Sequence, residues 1–121
     1  MTLPEWLTSG EEKLPDRLTL PNGAERNLRK QVDVLVAIAD YLDSLDCFRA
    51  SDCPIRRKRA RVEYLVHTEP LHSQGEPFRS KYQLRSGLWL EKHGGGLEVI
   101  EKAISLIEYC GRDVDSFQLV R

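Results

Sequence analysis

Ile55-Arg56-Arg57-Lys58-Arg59-Ala60-Arg61-Val62-Glu63-Tyr64-Leu65-Val66-His67-Thr68 is the stretch on which the fold turns, because the period of the apolar residues changes here. Ala60, Val62, Tyr64, Val66 and Thr68 occupy alternate positions, with Arg57, Arg59, Arg61, Glu63 and His67 between them. A strand points successive side chains to opposite faces, so this pattern predicts a half-buried strand with one apolar and one basic face. A loop marked by Pro70, Gly75 and Pro77 separates it from a second alternating run. There Tyr82, Leu84, Ser86, Leu88 and Leu90 share one face, and Lys81, Gln83, Arg85 and Trp89 the other. Gly87 is expected to mark a bulge or kink within that run, since it has no side chain to pack. Paired antiparallel, the two runs make a ribbon that needs helical cover or a third strand, for which Phe117 to Val120 is the candidate.

Helical periodicity flanks the ribbon. On the N-terminal side Asn22 and Glu25 have the spacing of a capping box, and the helix they open is expected to run to about Asp46. Leu28, Val32, Leu35, Ala39 and Leu42 form one apolar stripe, and Val34, Ile38, Tyr41 and Leu45 an adjoining one. Its charges oppose the helix dipole, with Arg26, Arg29 and Lys30 early and Asp40, Asp43 and Asp46 late. A local rule broken this consistently can mark a site. On the C-terminal side Gly94-Gly95-Gly96 ends the strand and a second amphipathic helix is expected from Leu97 to Cys110, closed by Gly111.

Residues 1–22, punctuated by Pro4, Pro15 and Pro21, read as an N-terminal arm docked through Trp6, Leu14, Leu18 and Leu20. Residues 23–121 then form a single α+β domain, with two amphipathic helices packed on one face of a small, mainly antiparallel sheet. A chain of 121 residues suits one core. With 40% hydrophobic and 31% charged residues it is neither a disordered tail nor a membrane protein. Its longest apolar run, Val34 to Ala39, is six residues, against the roughly 18 of a membrane-spanning helix. The start, Met1 to Trp6, lacks the features of a secretory signal, and the odd set Cys47, Cys53 and Cys110 lacks a disulfide framework spacing. An intracellular location is therefore expected: cytoplasmic, or nuclear if the source is eukaryotic, since the basic cluster after Pro54 resembles an import signal.

The net charge of −1 hides a strong segregation. Residues 1–54 carry ten acids and six bases, residues 55–93 four and nine, and residues 94–121 five and three. An anionic partner is best tolerated by the basic middle third. Within it the candidate binding residues are the run Arg56, Arg57, Lys58, Arg59 and Arg61 with Lys81, Arg85 and Trp89 from the second run, and alternation is expected to gather Arg57, Arg59, Arg61, Lys81 and Arg85 on one surface with the ring beside them. Guanidinium groups fork onto phosphates and an exposed ring stacks on a base, so nucleic acid, DNA or RNA, is the expected partner of a non-catalytic binding module. The alternative is an interaction or assembly subunit that docks an acidic protein partner through exposed Trp6, Trp89 and charged patches.

Lys92, His93, Gly94, Gly95 and Gly96 form a weaker candidate, a glycine-rich entry to a helix at which a phosphate can sit. The spacing matches neither the phosphate loop nor the dinucleotide fingerprint. Cys47, Cys53, His67 and His72, separated by five, thirteen and four residues, approach a two-cysteine, two-histidine zinc pattern. The cysteine gap is too wide, however, and Pro70 falls where such a finger needs helix. Ser73, His72 and Glu76 lie together in one loop, whereas a triad draws on separate elements. No catalytic residue, metal or cofactor is expected, and the residues identify no family.

Overall fold

The computed structural model describes residues 1–9, 15–57 and 63–121. In chain order it contains α1 (Leu3–Ser9), β1 (Arg17–Thr19), β2 (Glu25–Asn27), α2 (Val32–Ser44), β3 (Ile55–Arg56), β4 (Tyr64–His67), β5 (Lys81–Gln83), β6 (Trp89–Glu91), α3 (Glu98–Tyr109) and β7 (Gln118–Val120). The α+β class read from the sequence holds. The strands are divided between two antiparallel sheets, of order β2-β1-β7 and β3-β4-β6-β5.

The helical stripe read from the sequence is buried from Val34 to Leu42, where α2 packs against α3. The helix begins at Val32, not at residue 23. Asn22 caps a turn instead: its Oδ1 accepts the Ala24 N–H at 3.0 Å, and Gly23 takes the left-handed φ of 88°. This turn joins β1 to β2, and Glu25 pairs across the hairpin with Arg17 at 3.3 Å. Ordering of the chain into α2 falls to Asp33, whose carboxylate accepts the Arg29 and Lys30 N–H groups at 2.9 Å each.

Residues 20–24, where arm and domain were expected to meet, are thus the turn of a hairpin whose first strand pairs with β7. Leu3, Trp6, Leu18 and Leu20 are buried in the same core as α2 and α3. Leu14 lies outside the described residues. Burying these four large side chains favours docking, each contributing on the order of 2 kcal/mol of apolar transfer.

The second alternating run proves to be two strands. Leu84 and Leu88 close a hairpin, the Leu84 N–H donating to the Leu88 carbonyl at 2.8 Å. Gly87, at φ 96°, supplies the left-handed residue such a short loop requires, so it marks a turn where a bulge or kink was expected. The expected third strand forms at Gln118–Val120 but joins β1.

In the four-stranded sheet β4 does lie antiparallel beside the second run, with Val66 opposite Leu90 and His67 opposite Trp89. Its alternation is broken. Ile55 faces Val66, but the next residue, Arg56, faces Tyr64, a register shift that makes Leu65 the extra residue. Leu65 and Val66 are both fully buried, while the Tyr64 and His67 rings meet at 5.2 Å on the opposite side. Among the described residues no helix is long and apolar enough to cross a membrane.

Candidate functional site

The register places Trp89, Lys81 and Gln83 on the face of the four-stranded sheet opposite the buried Leu90 and Val66. His67 stands opposite Trp89 on that same face, and the bulge adds Tyr64. Each end of the row carries a cation. The Arg56 guanidinium lies 5.4 Å from the Tyr64 ring centroid, and the Lys81 ammonium 5.5 Å from that of Trp89. A continuous series Arg56, Tyr64, His67, Trp89, Lys81 therefore crosses all four strands, a width of about 14 Å at the usual strand spacing. Trp89 and His67 are half-buried, Tyr64 is buried, and Arg56 and Lys81 are exposed. The Nδ1 of His67 meets no hydrogen-bond partner among the described residues.

The other expected contributors are dispersed. Lys58, Arg59 and Arg61 lie outside the described residues. Arg57 turns to α3, where it pairs with Glu98 at 3.3 Å and with Glu101, so its charge is neutralised locally. Arg85 is exposed in the turn between β5 and β6. Trp6, a proposed docking anchor, is only 3% exposed and lies under Arg121, 5.6 Å from its guanidinium carbon.

The segment Lys92 to Gly96 is held by the chain itself. The Lys92 N–H donates to the Ser80 carbonyl at 3.0 Å, and the His93 carbonyl accepts from the Lys102 ammonium. Gly94, at φ 145°, passes so close to α3 that a β-carbon there would stand 3.6 Å from Glu98, Val99 and Lys102. Glu98 and Glu101 fill the first turn of α3, setting carboxylates at the helix end where a phosphate was expected.

Two buried charges escaped the sequence reading. Glu91, 1% exposed, accepts the Arg79, Ser80 and His93 N–H groups at 2.7, 2.9 and 3.1 Å and the His72 Nε2–H at 3.2 Å. Burial alone would raise its carboxyl, but the Ser80, Arg79 and His93 amides and the His72 ring outweigh it and hold the group below the ordinary glutamate value. His72 Nδ1 accepts the Tyr64 N–H at 3.1 Å, which fixes the neutral tautomer that donates from Nε2. With both ring nitrogens and both carboxylate oxygens engaged, this pair anchors the loop between β4 and β5 to the end of the sheet. It has no free lone pair for proton transfer.

Lys102, fully buried on α3, donates to Glu63 at 3.1 Å and stands 3.8 Å from Glu98. A cleft of about 340 Å³ opens beside both groups, lined by Glu63, Glu76, Arg79 and His93 among others.

The acids at the end of α2 bind the hairpin. Asp40 accepts the Tyr82 hydroxyl at 2.9 Å, and Asp43 accepts the Ser86 N–H at 3.0 Å. The charges that oppose the helix dipole thus fasten β5 and its turn to α2. Burial pushes the thiols of Cys110 and Cys53 above the ordinary cysteine value, Cys47 adding a hydrogen bond to Cys110, so these are protonated packing groups. Among the described residues no three histidine, cysteine or acidic side chains gather as metal ligands. Comparison of the chain with models of known families, with curated proteins and with solved structures finds no match.

Proposed function

We propose that the protein is a non-catalytic binding module that takes a single strand of nucleic acid across the outer face of the four-stranded sheet. The observation that carries this reading is the row of rings between cations, from Arg56 over Tyr64 to Lys81 over Trp89. The half-buried Trp89 and His67 rings accept bases by stacking without regard to sequence, Tyr64, buried against His72, supports the row, and the flanking cations neutralise the backbone. A row about 14 Å wide spans two or so nucleotides of an extended strand.

Fluorescence anisotropy with labelled oligothymidine and oligouridine of about a dozen nucleotides tests it. Trp89→Ala is expected to lose roughly ten- to a hundredfold in affinity, corresponding to one stacked base. If Arg56 and Lys81 neutralise two phosphates, log affinity should fall with log salt at a slope of about −1.4. Equal binding by wild type and Trp89→Ala, or binding indifferent to salt, defeats the reading.

A further inference from the structure

Among the described residues no strand covers the β5 edge of the four-stranded sheet. Ser80 and Lys92, and Leu84 and Leu88, form hydrogen-bonded pairs at 3.0 and 2.8 Å, and the antiparallel alternation makes Tyr82 and Leu90 the pair between them. The backbone N–H and C=O groups of Lys81 and Gln83 consequently point away from β6, and no described strand lies on that side. The free edge borders a cleft of about 640 Å³. Its floor is α2, through Asp40 and Tyr41, and its far wall is Arg26 on β2, itself the free edge of the other sheet. Arg85 stands at its rim.

Two features select the occupant. Outward N–H and C=O groups at alternate residues are matched by another polypeptide backbone and not by a nucleic acid strand. Around the edge, cations predominate: Lys81 and Arg85 on or beside β5 and Arg26 opposite, against Asp40, which is engaged by Tyr82 and lies 3.9 Å from Arg26, and Asp43, which accepts the Ser86 N–H. Self-pairing about Tyr82 would set Arg79 against Arg85 of the other copy, and like charges directly opposite are unfavourable. The edge is thereby guarded against its own kind and suited to acidic chains. We infer that β5 takes up an extended acidic segment of a partner protein as an added antiparallel strand, with Arg26 and Arg85 holding its carboxylates.

The full chain is titrated with a fluorescein-labelled peptide of alternating glutamate and threonine, and with the same peptide N-methylated at alternate residues. Gln83→Pro removes one outward N–H without touching the ladder to β6, because an edge strand tolerates proline on its free side. Affinity should fall roughly three- to tenfold in Gln83→Pro, the value of a backbone hydrogen bond. A similar loss should come from N-methylation, and a further one from Arg26→Ala or Arg85→Ala.

Should Gln83→Pro misfold by circular dichroism, the methylated peptide on the wild-type chain gives the same readout. No binding, or equal binding of the methylated and unmodified peptides, overturns the inference. Displacement of the peptide by oligothymidine, with Arg85→Ala weakening both alike, assigns the cleft to nucleic acid and overturns it too. Trp89→Ala, on the other face of the sheet, reports separately on the strand-binding reading.

Discussion

Glu91→Gln is expected to destabilise the fold by about 3 kcal/mol at neutral pH, because an amide cannot replace a carboxylate that only accepts. One oxygen takes the Arg79 amide and the His72 ring, and the other the Ser80 and His93 amides. Whichever way the glutamine amide is turned, its NH₂ faces two donors. At a side chain 1% exposed, water cannot relieve the mismatch. Two unmatched donors at roughly 1–3 kcal/mol each set the magnitude.

The pH dependence follows from the depressed carboxyl. The native state holds this proton more weakly than the unfolded chain, so the stabilisation is complete above the ordinary glutamate value of 4.5 and is lost as pH falls through the lower native value. Urea unfolding at neutral pH and near pH 4 should show the wild type losing more stability than Glu91→Gln, which has nothing to titrate there. A loss below about 1 kcal/mol at neutral pH would remove Glu91 as the anchor of the loop.

How far a sequence can be read locally is visible in particular elements. The second long helix was expected at 97–110 and spans Glu98–Tyr109, since its apolar stripe, its preceding glycines and Gly111 all agree. The start of α2 was misplaced because Asn22 and Glu25 carry the same spacing in a hairpin as in a capping box, and only pairing with Arg17 and β7 decides between them. The Tyr82 to Leu90 run looks like one strand because a three-residue hairpin loop preserves alternation through the turn.

The candidate interface was half legible. Trp89, Lys81 and Arg56 stood out from composition and charge and His67 fell on the expected basic face, whereas Tyr64 joined them only through the bulge at Leu65, which shifts the register without a local signal. Arg57 was assigned to the open face because its partners, Glu98 and Glu101, lie more than forty residues away in sequence. Glu91 gave no sign at all: its position in the alternation is outward, and its burial comes from the His72 loop folding over it. Lys102 left a trace that a closer reading would find, being a cation set among Val99, Ala103 and Leu106 on the buried stripe of its helix.

That placement makes Lys102 a discriminating test of charge against packing. Lys102→Ala is expected to destabilise the fold by about 3 kcal/mol, because it empties a fully buried volume and strips the His93 carbonyl of its donor. Lys102→Met should cost only about 1 kcal/mol. It keeps the stem packed on the buried side of α3 and gives up the ammonium, the atom that stands beside Gly94 and whose acidic partners are not themselves buried. Glu63 and Glu98 are 39% and 44% exposed, so water can solvate them, and Glu98 keeps Arg57. The usual severity of breaking a buried ion pair comes from stranding the remaining charge, and here no charge is stranded; the His93 carbonyl loses its donor in both variants, so the difference between them is the packed volume. Urea midpoints of the two variants measure the difference, and hydrogen exchange at Gly94 to Gly96 should rise more in the alanine variant. If methionine proves as costly as alanine, the ammonium itself, through its bond to the His93 carbonyl, is what holds the glycine segment against α3.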